Sequence, residues 1–179
     1  MGRDEEGNTT LVAYATKYGS TQEVAEAVAD TLRESGLTVD LQPMREVRAL
    51  EGYRALVLGA ALYMFRWHKD ARRFLSRNRK TLAQRPVAVF ALGPVHEPYD
   101  EQEWQNSQAQ LDKELAKFSW LEPVEVKLFG GEFDPAKLSF PINKLAGSEP
   151  PSDIRDWDAI RVWARGLAAT LGAELPWSS

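Results

Sequence analysis

The chain has 179 residues, the length of one domain that buries about 70% of the surface its unfolded form would expose. Its apolar content of 44%, charged content of 27% and net charge of −4 are ordinary for a globular protein, and this mild negative charge argues against general nucleic-acid binding. The absence of cysteine excludes disulfides, cysteine-ligated zinc and iron–sulfur clusters, so redox chemistry requires a bound organic cofactor. No metal site is predicted.

The two ends of the chain are predicted to be tails around one domain at 9–172. Residues 1–8 are polar and acidic and lack the basic, then apolar, pattern of a signal peptide, and residues 173–179 form the second tail. The longest apolar run, at 55–65, is far shorter than the ~20 residues that cross a bilayer. We therefore expect a soluble cytoplasmic protein without a transmembrane segment, for which peripheral membrane contact stays open.

Continuous apolar runs alternate along the chain with apolar residues at helical spacing. The runs predict five strands, at 11–15, 38–41, 54–61, 86–92 and 124–129. Helices are predicted from Thr21 as N-cap to a stop at Gly36, and at 67–83, 101–118 and 156–171. The segment 45–53 is expected to be a turn or short helix. The segment 130–152 is expected to be mostly loop because it holds four prolines and three glycines.

This alternation predicts an α/β fold, a three-layer α/β/α sandwich around a five-stranded parallel sheet of order 2-1-3-4-5. The order reverses between the first and third strands, and a crevice opens there at the carboxyl ends of the strands. The loops at 16–21, 60–68 and 93–104 follow the three strands that border this crevice. We therefore expect a ligand to bind among these three loops.

The first loop joins a buried strand to the start of a helix and carries three hydroxyls and a glycine in six residues. Unpaired backbone N–H groups and the positive end of the helix dipole favour a phosphate at such a junction. The dinucleotide and triphosphatase glycine motifs are both absent, and the pattern T-x-x-G-x-T suits a single phosphate ester. In the alternative interpretation, Thr16 and Thr21 only cap the strand and the helix.

The second loop places aromatic residues where the third strand ends. A flat ring, such as the isoalloxazine of a flavin mononucleotide, stacks on such side chains. Tyr63 and Trp67 are the residues expected to be partly exposed for this purpose. Alternatively, these residues belong to the core beneath the following helix. Ala60, Ala61 and Leu62 precede them at the end of the strand.

The third loop begins with Gly93, Pro94 and Val95, and its backbone groups are predicted to face the polar edge of a flavin. Tyr99 or the nearby Trp104 would cover the other face of the ring. His96 is a candidate contact to the ring or to a substrate, although a solvent-facing histidine in a turn is the favoured alternative.

A run of positive charge follows the second loop. Between 66 and 85 there are eight basic residues and one acid, Asp70. The basic residues are Arg66, Lys69, Arg72, Arg73, Arg77, Arg79, Lys80 and Arg85. A solvated helix face is the favoured interpretation, and docking of an acidic redox partner, an anionic substrate or a lipid head-group layer is the alternative.

Several motifs resemble those of the flavodoxin superfamily, most closely its menaquinone-dependent protoporphyrinogen IX dehydrogenase family. They are ATKYGST at 15–21, GAALYMFRWH at 59–68, FSWLEP at 118–123, GGEF at 130–133 and DWDAIRVWARGL at 156–167. The resemblance covers about residues 10–171. It implies a flavodoxin-like fold, FMN as cofactor, a quinone or porphyrinogen-type substrate and a place in haem biosynthesis.

The resemblance also implies which residues hold the cofactor. Those that would bind the phosphate are Thr16, Lys17, Tyr18, Gly19, Ser20 and Thr21. Ala60 to Tyr63 and the loop beginning at Gly93 would border the ring. The motifs identify no catalytic acid or base.

Three functions are therefore compared. The first is an FMN-dependent oxidoreductase that passes electrons between an organic substrate and a quinone or other acceptor. The second is a soluble flavodoxin-type electron carrier without substrate turnover. The third is a domain of this fold that has lost its cofactor. A phosphoacceptor receiver is set aside, because Tyr14 and Ala15 stand where acidic residues are needed.

Overall fold

The computed structural model describes residues 7–63, 66–138 and 149–172, with Tyr63 described by its backbone alone. Most of the two predicted tails, at 1–6 and 173–179, and the residues Met64 and Phe65 lie outside this description. None of the helices in the described ranges has both the length and the apolar character needed to cross a membrane.

Strands and helices alternate through most of the chain. The strands are β1 (Thr9–Ala15), β2 (Thr38–Pro43), β3 (Tyr53–Tyr63), β4 (Arg66–Trp67), β5 (Val87–Leu92), β6 (Glu125–Phe129), β7 (Glu132–Phe133) and β8 (Ser152–Asp153). The α-helices are α1 (Ser20–Glu34), α2 (Lys69–Arg77), α3 (Arg79–Leu82), α4 (Glu101–Ala116) and α5 (Trp157–Gly172). Single 3₁₀ turns lie at Met44–Glu46 and Pro135–Lys137.

The main sheet is parallel and has the order β2-β1-β3-β5-β6. This confirms the predicted order 2-1-3-4-5, because the predicted fourth and fifth strands are β5 and β6. The two-residue strand β4 was not predicted and pairs antiparallel with the end of β3. Side chains of β1 alternate between two cores, as expected for a strand covered on both faces. Val12 and Tyr14 pack with α1 and α5, whereas Leu11 and Ala13 pack with α2.

Two predicted segments have a different structure. The helix predicted at 67–83 is two helices, because Asn78 leaves helical geometry and its side-chain amide donates to the Phe74 carbonyl at 2.9 Å. The segment predicted as loop contains β7 and β8, which form a separate antiparallel pair. Strands of two residues carry no periodic pattern, so the sequence could not reveal them.

A close approach between β3 and β5 leaves no room for a side chain at Gly59. An added Cβ would lie 2.0 Å from Cζ of Phe90. The Phe90 ring has no free space to move into, because it is fully buried and packs against Phe129 and Trp163 with ring centroids 6.2 and 5.9 Å away. The close contact between β3 and β5 therefore depends on glycine at this position.

Replacement Gly59→Ala should lower the free energy of unfolding by about 2 kcal/mol, because the extra methyl overpacks a rigid core. Urea denaturation followed by circular dichroism measures this change. Gly166→Ala is the matched control, since a Cβ at this exposed position in α5 meets no atom within 4 Å. The free energy of unfolding of the control should rise by about 0.5–1 kcal/mol, because alanine has a higher helix propensity than glycine. Equal effects of the two substitutions would contradict the packing argument.

Candidate functional site

The carboxyl ends of β1, β3 and β5 lie side by side. In the parallel register Ala15 is opposite Ala60, and Ala61 is opposite Leu92. The loops that follow these strands therefore meet at one edge of the sheet, as predicted.

A cavity of about 340 Å³ lies at this edge and is called the crevice below. Its walls come from all three predicted loops and from a fourth segment after β6. The lining residues are Tyr18, Ser20, Ala61, Leu62, Leu92, Gly93, Val95, Gly131, Glu132, Phe133, Asp134, Lys137 and Leu138. The fourth segment was not predicted as part of the site. The only sequence signal there was the GGEF motif.

The start of α1 is left without a side-chain cap. Gly19 is the N-cap, in the left-handed conformation with φ of 93°, so the predicted N-cap at Thr21 is wrong. The Thr16 hydroxyl accepts a hydrogen bond from the Gly19 N–H at 2.9 Å and thus stabilises the loop rather than the helix. Thr21 lies within the first turn, is fully buried, and its hydroxyl has no hydrogen-bond partner. The first N–H groups of a helix also lack intrahelical acceptors.

The second loop buries Trp67 instead of exposing it. Trp67 pairs with Leu62 in the β3–β4 hairpin and is 1% exposed, and its indole N–H donates to the Ala60 carbonyl at 3.1 Å. The expectation that Trp67 is partly exposed is therefore wrong, because the hairpin carries the ring into the core. The side chain of Tyr63 lies outside the described residues, so its expected exposure stays a prediction.

Buried Glu114 holds this hairpin against α4. It is 1% exposed, accepts the Trp67 backbone N–H at 3.4 Å and pairs with Lys117. A carboxylate at this depth must be hydrogen-bonded to avoid a large desolvation cost. The sequence signal was a glutamate three residues after Leu111, on the inward side of the predicted helix, and it was missed.

The third loop has most of its backbone donors already bound. The N–H groups of Val95 and His96 donate to the Glu103 carboxylate at 2.8 and 3.2 Å, and the Gly93 N–H donates to the Phe129 carbonyl at 3.1 Å. The Pro94 carbonyl accepts from Gly131 at 2.7 Å. These three N–H groups are thus bound within the protein, and the predicted contact of other backbone groups of this loop with a flavin stays a prediction.

Two predicted residues of the third loop lie outside the crevice. Tyr99 is 71% exposed and stacks on Trp104 with ring centroids 6.1 Å apart. His96 is exposed, as favoured from the sequence, and its Nδ1 lies 3.1 Å from Glu103. Neither lines the crevice, so a contact between either residue and a bound ring stays a prediction.

Arg155 connects the fourth segment to the start of α1. Its guanidinium is 5% exposed and pairs with Asp153 at 2.7 Å, Glu23 at 2.8 Å and Glu132 at 3.3 Å. The same group also donates to the Ser20 carbonyl at 3.3 Å. The hydrogen bond to Asp153 is the main reason that the pKa of Arg155 is raised, so the guanidinium stays charged. One side chain therefore joins β7 and β8 to the first loop.

Comparison with known proteins agrees with this geometry. The flavodoxin domain family matches residues 11–143. The chain belongs to the flavodoxin family. Protoporphyrinogen IX dehydrogenase [quinone] of Escherichia coli K12 is 24% identical over 185 residues, which cover 89% of this chain and 94% of that protein.

Solved flavodoxins share the fold. A short-chain flavodoxin associated with a PDU bacterial microcompartment superposes with a TM-score of 0.61 at 18% identity, covering 91% of this chain and 98% of the other. Oxidised flavodoxin 1 of Bacillus cereus gives a TM-score of 0.56 at 16% identity, covering 93% and 99%. The protein is thus a flavodoxin-type redox protein with a flavodoxin-like α/β fold.

The residues at the crevice fit the flavin that this family implies. The uncapped start of α1 and the unpartnered Thr21 hydroxyl are donors of the kind that bind a phosphate. The walls at Ala61, Leu62 and Phe133 are apolar, which suits a flat aromatic ring.

The two histidines of the chain have pKa values shifted in opposite directions. The hydrogen bond to Glu103 raises the pKa of His96 above its ordinary 6.5, so the stability from this contact is complete below pH 6.5 and is lost as the pH rises through the raised value. Burial lowers the pKa of His68, whose Nδ1 accepts the Asp70 N–H at 3.1 Å. The stability that the neutral, buried His68 contributes is complete above pH 6.5 and is lost as the pH falls through the lowered pKa.

An NMR titration should therefore resolve one histidine above 6.5 and one below it. Replacement Glu103→Gln should lower the pKa of His96, because the charged hydrogen-bond acceptor is removed. His68 is the internal control and should titrate as in the unaltered protein. A His96 pKa that does not respond to this substitution would show that the contact with Glu103 is absent in solution.

Proposed function

We propose that the crevice binds FMN and that the protein is an oxidoreductase related to protoporphyrinogen IX dehydrogenase, acting with a quinone or other electron acceptor. The observation that carries the proposal is the start of α1, where the helix is uncapped, the buried Thr21 hydroxyl is unpartnered, and the neighbouring Tyr18 and Ser20 line an apolar cavity. The cytoplasmic location expected from the sequence stays a prediction.

A cofactor with a single phosphate suits this loop better than a dinucleotide. The first loop has one glycine, Gly19, and its donors are hydroxyls, backbone amides and the Lys17 ammonium, which together neutralise one phosphate. The residues assigned to the phosphate are Thr16, Lys17, Tyr18, Gly19, Ser20 and Thr21. The residues assigned to the ring are Ala60, Ala61, Leu62, Tyr63, Gly93, Pro94, Val95, His96 and Tyr99. Trp67 is not retained, because its ring is buried and its N–H is bound.

When bound, the flavin supplies the hydride or single-electron chemistry. The protein positions it and keeps water out. Leu62 from the end of β3, with Phe133 and Leu138 from the fourth segment, encloses the apolar part of the crevice. Arg155 fixes the covering segment to the first loop through the Ser20 carbonyl and Glu23. No side chain of the crevice is assigned as a proton donor or acceptor.

Replacement Thr21→Val tests the phosphate assignment with two opposite effects. FMN should bind about tenfold to a hundredfold more weakly, because one hydrogen bond to a charged group is lost. The flavin-free protein should become more stable, because a buried hydroxyl without a partner is replaced by a methyl. Isothermal titration with FMN and thermal denaturation of the flavin-free protein measure the two effects.

Thr31→Val is the matched control for this experiment. Thr31 lies in the same helix and is also buried, but its hydroxyl donates to the Ala27 carbonyl at 2.8 Å, away from the first loop. Its replacement should leave FMN affinity unchanged. If the purified protein is colourless and cannot be reconstituted with FMN, the flavin proposal fails. If Thr21→Val retains full affinity, the phosphate lies elsewhere.

A soluble electron carrier is the second candidate, supported by the solved flavodoxins that share the fold. Potentiometric titration of the FMN-loaded protein distinguishes the two functions. The enzyme should show a single two-electron step and should reduce a quinone when given a porphyrinogen. Two well-separated one-electron steps without quinone turnover would instead support the carrier.

A further inference from the structure

A second cavity lies on the other side of the first loop and is called the basic groove below. It has a volume of about 550 Å³, and Thr16 and Lys17 form its edge, whereas Tyr18 and Ser20 of the same loop face the crevice. Five basic side chains and one acid line it: Lys17, Arg45, Arg66, Lys69, Arg72 and Asp70. These residues come from the loop after β1, the 3₁₀ turn after β2, β4 and α2, so folding brings together charges that are distant in the sequence.

Four of the five cations of the basic groove have no carboxylate partner in the described parts of the chain. Within the described ranges, Arg45, Arg66, Lys69 and Arg72 form no ion pair with a carboxylate, and Nε of Arg72 is buried without a hydrogen-bond partner. The one acid, Asp70, has its carboxylate 4.0 Å from Nδ1 of His68. A buried guanidinium N–H without an acceptor is costly unless a ligand completes it.

The pKa of His68 indicates the same concentration of charge. Burial is the largest cause of its lowered pKa, Asp70 opposes the shift, and Lys69, Lys17 and Arg72 each lower the pKa further. In a chain of net charge −4, three cations therefore act on one histidine at this place.

The rest of the basic stretch does not extend the basic groove into a flat docking face. Arg77 donates to the Val47 carbonyl at 3.2 Å, and Arg85 donates to the Tyr53 carbonyl at 3.1 Å. Arg79 lies over the Trp120 ring at 5.9 Å. Arg45, Arg66, Lys69 and Arg72 instead line one concave site, which Arg73 and Lys80 do not line. This arrangement favours a small ligand over an acidic protein surface or a membrane.

We infer that the basic groove binds a small organic anion that carries two or more phosphate or carboxylate groups. The volume lies within the range of small-molecule sites. Arginine guanidinium groups match the geometry of both acid groups, and one singly charged anion would leave most of the four cations Arg45, Arg66, Lys69 and Arg72 uncompensated. The site goes beyond the proposed flavin function. The inference depends on the flavin proposal in one respect only: the anion and the flavin phosphate would lie on opposite sides of the first loop.

Calorimetric titration of the FMN-loaded protein with pyrophosphate and, separately, with citrate tests the inference at low salt. Each anion should bind with a one-to-one stoichiometry, and Arg66→Gln or Arg45→Gln should weaken binding about tenfold by removing a charged hydrogen bond. Both arginines are exposed, so the folded protein should tolerate their loss. A difference between the two anions would distinguish a phosphate site from a carboxylate site. FMN content should stay unchanged in both variants.

Arg73→Gln is the matched control. It removes one positive charge, as the two test variants do. Arg73 lies in α2 directly after Arg72, but it does not line the basic groove. If this control weakens binding as much as Arg66→Gln, the effect is only that of overall charge and the inference is wrong. It is equally wrong if the anions displace FMN, if neither anion binds, or if only vesicles containing phosphatidylglycerol bind.

Failure of the flavin proposal gives a different result. If the protein does not take up FMN but still binds citrate or pyrophosphate in a manner that depends on Arg45 and Arg66, the basic groove stands without the flavin. If FMN binds and depends on Thr21 but no anion binds, the flavin proposal stands without the basic groove.

Discussion

The uncapped start of α1 is the constraint on which the rest of the site depends. A helix often begins with a side chain that accepts one of its first N–H groups, and glycine in that place costs only about a few tenths of a kcal/mol. Here Gly19 stands at that position, and the Thr16 hydroxyl accepts the Gly19 N–H within the loop. With Thr21 buried and unpartnered in the same turn, the fold keeps a set of donors that suits a bound anion.

The sequence predicted the sheet well because its strands are unambiguous. β1 and β5 are apolar along almost their whole length, which is typical of strands covered on both faces, and their alternation with helices then restricts the order of the sheet. The first loop was predicted for the same reason, since its position follows directly from the end of β1. Its contact with a phosphate remains a proposal, supported by the unpartnered Thr21 hydroxyl.

The parts that could not be predicted depend on contacts between distant residues. Trp67 has the sequence signature of an exposed loop aromatic, and only the pairing of β4 with β3 shows that it is buried. Arg155 lies in a polar stretch without periodicity, yet its partner Glu23 is 132 residues away in sequence. Glu103 likewise binds two N–H groups of the third loop across a turn. Local patterns carry no information on such partners.

The ion pairs around Arg155 also determine how a phosphate must be held. Arg155 is a buried cation that donates a hydrogen bond to the Ser20 carbonyl of the first loop. It is already paired with the carboxylates of Glu23, Glu132 and Asp153. Lys137 is paired with Glu132 at 2.8 Å. These two cations are outnumbered by three carboxylates, so they have no positive charge to spare for a ligand. Neutralisation of a phosphate at α1 therefore falls to the first loop itself, through its backbone amides and hydroxyls, the helix dipole and the assigned Lys17.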